Sequence, residues 1–239
     1  PEQTDHMSYE DCLPFGKTDI TSEEYREQID YDKALEILEE NGVEDAEKKL
    51  EAFIQEVPDM LEWLEENGRE YPWRYTTDPW KVYVAEILLQ RTRGDAVAEV
   101  YPKFIGKFSD PESLYESEEE DIRKEIKSLG FINHRTKTLN EAGKIFMENF
   151  DGKIPDSGEK MKKPWRVGDY VANAVQLFAF GEARPLIDSN IEGFIENKLD
   201  FKRSQRAHKD KIFTDLMRSL TPENAAIARS FYLTMIDFS

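Results

Sequence analysis

The chain carries a single cysteine, Cys12, and three histidines, His6, His134 and His208, in 239 residues. One thiol excludes an internal disulfide and any zinc or iron–sulfur site built from four cysteines of this chain. The histidines stand far apart with no His-x3-His spacing, so no metal site is expected. No run approaches the roughly 20 apolar residues of a membrane span, so no membrane partner is expected. No charged-then-apolar secretory leader opens the sequence. It begins Pro1 with a His6-Met7 pair, and its first six residues point to no particular structure or chemistry. The scarce cysteine fits a reducing, intracellular setting such as cytoplasm or nucleoid. Alternating strand runs, repeats and low-complexity tracts are also missing.

What is abundant is acid. The net charge of −18 weighs against a nucleic-acid partner, whose affinity comes largely from Lys and Arg on phosphates. The distribution removes the objection. Residues 1–70 hold 23 acidic and 6 basic side chains, whereas the remaining 27 acids and 26 bases nearly cancel. A near-neutral segment can still present a basic face, so the whole-chain charge decides nothing.

Apolar periodicity near 3.6 dominates and predicts an all-α protein. Residues 1–22, with Pro14 and Gly16, read as a mobile tail. From Ser22, Glu23 and Glu24 suit a first helical turn, and Ala34, Leu35, Ile37 and Leu38 form a stripe up to Asn41-Gly42. Ala46, Leu50, Phe53 and Ile54 mark a second helix that Pro58 is expected to break, and 59–67 a third. Tyr71-Pro72-Trp73-Arg74 reads as a loop, and Asp78-Pro79 opens a helix carrying Val82, Ala85, Leu88 and Leu89. Further helices are expected near 95–108, 118–128, 135–149, 169–180, 188–198, 204–219 and 222–236.

Four constellations could carry chemistry. Glu86 sits inside Val82-Tyr83-Val84-Ala85-Glu86-Ile87-Leu88-Leu89, where burial would raise a carboxyl pKa toward that of a neutral-pH proton donor. The pattern equally fits a carboxylate on the wetter helix side, paired with Arg91 or Arg93. Asp188 reaches a helix start through an apolar loop, with Ser189 and Glu192 spaced as a capping box. Ordinary capping accounts for it better from the local pattern than a carboxylate held facing a cleft does. Lys160–Val175 runs from Lys160, Lys162, Lys163 and Arg166 through Gly168 into a helix N-terminus, which is either a phosphate-binding turn or an exposed basic loop. Leu129-Gly130-Phe131-Ile132-Asn133-His134-Arg135 is a turn before a basic helix start. It is a second backbone contact or a plain connection.

Taken in order, these segments resemble the helix–hairpin–helix DNA glycosylase superfamily. The branch is that of endonuclease III, the adenine glycosylases and, nearest in pattern, the G/T-mismatch thymine glycosylases. The resemblance covers about 60–239 and rests on Tyr71-Pro72-Trp73-Arg74, Asp78-Pro79-Trp80 and Glu86–Thr92, then on Leu129-Gly130 with Arg135. It continues through Val167-Gly168-Asp169-Tyr170, Ala179-Phe180-Gly181 and Ile187-Asp188-Ser189-Asn190. It implies a two-lobed helical fold with a DNA-binding cleft between the lobes. One lobe would span about 80–180 and the other 58–79 plus 181–239, preceded by an acidic helical extension over 1–57.

The resemblance also implies roles. Asp188 matches the Asp that stabilises an oxocarbenium-like transition state and helps activate water. Glu86 matches the pocket Glu that contacts the flipped base. Gln90 and Arg91 fall where the family inserts into the DNA stack. Arg135, Lys162, Lys163, Arg166, Val167 and Gly168 fall on DNA-backbone contacts. Tyr170 occupies the place where bifunctional relatives put the Lys that forms a Schiff base. The resemblance therefore implies hydrolysis without strand cleavage, acting as a monomer on double-stranded DNA, with thymine or uracil opposite guanine as the target.

Three features depart from the family. The hairpin pattern Leu-Pro-Gly-Val-Gly becomes Pro164-Trp165-Arg166-Val167-Gly168, without the first Gly. The four-cysteine cluster loop has no counterpart before Ser239, so no cofactor is expected. The acidic extension has no counterpart in the family, and reads either as a solvated cap or as an arm that competes with DNA or docks a protein partner. Alternatives are excision of a modified pyrimidine in defence or epigenetic turnover, excision of adenine opposite 8-oxoguanine, or a catalytically inert DNA-binding relative.

Overall fold

In the computed structural model, which describes residues 9–202 and 210–238, every regular element is helical. The described α-helices run, in order, α1 Ser22–Glu27, α2 Tyr31–Glu40, α3 Ala46–Asn67, α4 Pro79–Leu89 and α5 Gly94–Lys107. They continue as α6 Pro111–Tyr115, α7 Glu119–Glu125, α8 Ile132–Phe150 and α9 Gly158–Met161. The last are α10 Asp169–Phe178, α11 Ser189–Leu199, α12 Lys211–Leu220 and α13 Ala225–Asp237. The start of the helix expected at 204 lies outside the described residues, as do His6 and His208. No helix among the described residues is long and apolar enough to cross a membrane. The chain divides into two compact units, one of residues 1–69 with 181–239, the other of residues 70–180.

In the first unit, α3 packs on α13, α11, α1 and α2, and α12 packs on α2. Tyr25, Phe53 and Phe231 meet as a ring cluster, with Tyr25 and Phe231 centroids 5.5 Å apart. The buried Tyr25 hydroxyl is satisfied by donating to the Leu220 carbonyl at 2.8 Å. Pro58 does not break the helix as expected. α3 runs through it because Leu50, Phe53, Ile54, Val57, Leu61 and Leu64 bury one continuous face. That burial outweighs the roughly 3 kcal/mol cost of an interior proline. The stretch expected as one helix from Ser22 is instead two, with α2 restarted by Asp30, whose side chain accepts from Lys33 N–H at 3.1 Å.

The described part of the expected mobile tail is a strap on α13. Lys17 N–H donates to the Ala226 carbonyl at 2.9 Å, and Ser230 Oγ donates to the Lys17 carbonyl at 2.6 Å. The buried Arg229 donates through Nε to the Pro14 carbonyl at 2.9 Å. Cys12 and Ile20 are buried along it. Polar, turn-rich sequence reads as a tail because its anchoring bonds come from α13, more than 200 residues away.

The second unit is built around α4, which buries Trp80 and every residue from Val82 to Leu88. A helix apolar on all sides belongs in a core, and α10, α5 and α8 cover it. Asp78 caps it by accepting from Trp80 and Lys81 N–H groups. The Trp80 indole N–H is satisfied by the Phe108 carbonyl at 3.0 Å.

Candidate functional site

Glu86 stands in the middle of α4 and is 6 % exposed. That burial does not fit the alternative of a carboxylate on the wetter helix side. Arg93 turns to Asp95 at 3.7 Å, and the exposed Arg91 guanidinium lies 4.9 Å above the Phe131 ring. A carboxylate kept inside the most apolar helix of the unit gains nothing from solvation there, so its position suits a specific partner.

Tyr170 is the second residue of α10, half-buried, in the turn that Gly168 opens. The preceding loop, Pro164-Trp165-Arg166-Val167-Gly168, turns through a residue other than glycine. Arg166, where the first Gly would stand, has φ of 61°, the left-handed conformation a glycine would adopt without cost. The sequence left open whether the turn differs or the side chain replaces an amide contact. The Arg166 side chain is exposed there, so the turn presents a cation to solvent.

The basic residues of this loop divide into two groups. Lys163 and Arg166 are exposed and lie over rings, Lys163 Nζ 5.1 Å from Phe150 and the Arg166 guanidinium 4.8 Å from Trp165. Lys162 is engaged in the chain instead, with Nζ at 2.6 Å from both Glu159 and Asp169. These carboxylates hold its ammonium above the usual lysine range. Val167 is buried, so what it can offer a ligand is backbone rather than side chain.

Gln90 ends α4, with its Nε2 donating to the Arg166 carbonyl at 3.4 Å. Arg135 departs from the surface phosphate contact expected of it. It is 2 % exposed, and its guanidinium bonds inward to the turns at Gln90–Thr92 and Leu129–Gly130. Burial pulls it below the usual guanidinium range. The sequence missed two neighbours, Phe131, at 49 % one of the most exposed large apolar side chains, and Thr92. An aromatic residue directly after a turn glycine was the available signal for the first.

In the other unit, Asp188 is the N-cap of α11, one residue earlier than the expected capping box at Ser189. Its Oδ1 accepts from the Asn190 and Ile191 N–H groups at 2.9 Å each. Both bonds fall on one oxygen and fix the plane of the carboxylate. Leu186 is buried just before it, anchoring the apolar loop that delivers it. Among the described residues no group of three or more His, Cys, Asp or Glu could hold a metal ion.

An all-helical chain with a hairpin turn before α10 and an Asp at the start of α11 matches a known class along most of its length. Residues 84–222 match the HhH-GPD superfamily of base excision DNA repair proteins, and the chain belongs to that superfamily. It is 35 % identical to a thymine-DNA glycosylase of Aeropyrum pernix, over 75 % of this chain and 82 % of that one. It is 32 % identical to a thymine/uracil-DNA glycosylase of Pyrobaculum aerophilum, over 75 % and 79 %. The solved structure of a thermostable thymine-DNA glycosylase superposes with a TM-score of 0.71 at 28 % identity, covering 80 % of this chain and 86 % of the other.

Proposed function

We propose that this protein is a monofunctional DNA glycosylase that takes thymine or uracil mispaired with guanine out of duplex DNA and hydrolyses its N-glycosidic bond. The observation that carries the reading is Tyr170 in the first turn of α10, in a chain whose named relatives are thymine and thymine/uracil glycosylases. A Schiff base needs a primary amine, and a phenol has none. Water is then the nucleophile. The bond from C1′ to the base nitrogen breaks with its electron pair leaving on the base. The water oxygen bonds to C1′, and its proton ends on the departing base. The products are a free base and an abasic site in an unbroken strand.

Positive charge develops on the sugar as the bond stretches, and Asp188 is the carboxylate assigned to it. Its orientation is set by two backbone N–H groups, so no reorganisation is needed at the moment of reaction. Glu86 is assigned to the base, because a buried carboxyl can hydrogen-bond a flipped pyrimidine and discriminate by polar complementarity. Lys163, Arg166 and the Gly168 turn at the α10 N-terminus supply backbone contacts to DNA.

A panel of duplexes carrying G·T, G·U, 8-oxoguanine·A and modified cytosines tests the reading. Release from G·T and G·U is expected, with strand breaks only after alkali. Breaks without alkali would mean a lyase, and release confined to the other duplexes would mean a different pocket. Asp188→Asn keeps a capping side chain, so it is expected to fold with little change and to lose roughly 10²-fold or more in single-turnover rate. Full base release by that variant removes Asp188 from the chemistry.

A further inference from the structure

The first turns of α8 fasten three separate loops of the second unit. Arg135 Nη1 donates to the Leu129 carbonyl at 2.7 Å and to the Gly130 carbonyl. Its Nη2 donates to the Gln90 carbonyl at 2.7 Å and to the Thr92 hydroxyl. Thr92 in turn donates to the Leu129 carbonyl at 3.4 Å, closing a ring between the two loops. One turn along, Thr138 donates to the Trp165 carbonyl at 2.9 Å. Glu141 accepts the Trp165 N–H at 2.8 Å. Positions 135, 138 and 141 follow a three-residue spacing and share a helix face.

Each fastened loop contains a non-glycine residue in the left-handed region: Arg91 with φ of 57°, Phe131 with 43° and Arg166 with 61°. Such conformations persist only where the surroundings over-determine them, and they gather at functional sites. A loop that only had to turn would use glycine at these places. Here the conformation carries an exposed side chain in all three cases. The Arg91 guanidinium lies 4.9 Å over the exposed Phe131 ring, so the two loops present a joint cationic and aromatic edge. The Arg135 guanidinium bonds to both the Gln90–Thr92 and the Leu129–Gly130 loops with charge-assisted hydrogen bonds, the stronger kind.

We propose that Arg135 is a positioning residue, clamping the Gln90–Thr92 and Leu129–Phe131 loops together with Thr92 so that Arg91 and Phe131 meet the duplex already in place. The proposal rests on the glycosylase reading above. Preorganisation removes an ordering cost from base extrusion and keeps the target in register for hydrolysis. The clamp acts through the loops that extrude and hold the base, and Arg135 itself takes no part in bond breaking at C1′.

Single-turnover release from a G·T duplex with 2-aminopurine beside the target thymine tests this. The fluorescence rise reports extrusion, the rate constant reports positioning, and the amplitude reports the fraction of folded enzyme. Arg135→Met is expected to slow both the fluorescence rise and release by roughly 10²-fold at full amplitude, as a misplaced extrusion element should. Arg135→Lys should restore part of the rate. Thr92→Val keeps the side-chain shape and removes the hydroxyl, and should slow both phases severalfold. If Arg135→Met does not fold, Thr92→Val and Arg135→Lys carry the test. Wild-type rate constants in these variants, with loss only in amplitude or melting temperature, would make Arg135 purely structural and overturn the proposal. If the wild type releases no base from any duplex, the glycosylase reading fails, while the fluorescence rise, which needs no chemistry, still decides the role of Arg135.

Discussion

Glu86 and Arg135 are both ionisable side chains kept out of water, which costs free energy unless hydrogen bonds replace the lost hydration. For Glu86 the local pattern leaves a buried and a wetter place both open, and it is buried because no helix side of α4 is polar enough to carry it outward. Arg135 reads as a surface cation at a helix start. It turns inward because four acceptors converge on it, two from the Leu129–Gly130 turn just before the helix and two from the Gln90–Thr92 turn more than 40 residues away, and the distant pair has no trace in local pattern. Asp188 falls between these cases, its capping place legible to within one residue. Arg166 supplies a prediction at this scale. Its left-handed backbone costs a side-chain-bearing residue about 1–2 kcal/mol, part of which glycine's freer unfolded chain would cancel. Arg166→Gly should therefore stabilise the protein by up to about 1 kcal/mol. It also removes one exposed cation, so DNA affinity should fall, with the slope of log K against log salt reduced by about 1. Stability and affinity moving in opposite directions, by calorimetric melting and salt titration, is the expected result. A lower melting temperature would show that Arg166 is not strained.

At the scale of elements, long helices were legible and short ones were not. Helices α6 and α9 have five and four residues, too few to display a period, and fall outside every expected helix. Pro58 misled in the other direction, since its local penalty is visible in sequence and the packing of α3 that overrides it is not. The strap over residues 13–20 is the clearest loss, because each anchor is a long-range bond to α13. Gly16 makes the strap testable. Its φ is 97°, and a methyl added there would overlap the Ala226 carbonyl oxygen and crowd the Ser230 amide. Gly16→Ala is expected to lower stability by about 2 kcal/mol or more, since an incompatible backbone and a backbone clash combine. Thermal melting measures it. A change within about 0.5 kcal/mol, typical of an unconstrained surface site, would mean that the strap contributes nothing to the fold.

For the whole molecule, the question raised by the charge becomes sharper once the units are known. Residues 1–69 with 181–239 hold 31 acidic and 15 basic side chains, whereas 70–180 hold 19 and 17. The acidity therefore belongs to a compact unit and not to a detached arm. Removing residues 1–57 would be a poor test of competition with DNA. The cut falls inside α3 and takes Leu38, Leu50, Phe53 and Ile54 out of the core, so the unit would lose its packing before its charge could be read. Neutralising exposed acids on and just after α2 separates the two effects. Glu36, Glu39, Glu40 and Glu44 are all exposed, and their replacement by Gln removes four negative charges while leaving Ala34, Ile37 and Leu38 buried. If this face is a solvated cap, its field is largely screened beyond about 8 Å at physiological salt. DNA affinity near 0.15 M salt should then change by less than about twofold, with the salt slope intact because no phosphate contact is altered. An arm that competes with DNA predicts the opposite, a gain of roughly tenfold that survives at that salt together with a steeper slope. The burial of α2 against α12 and α3 favours the cap, because a helix held by its apolar face cannot also leave to occupy a phosphate-binding surface.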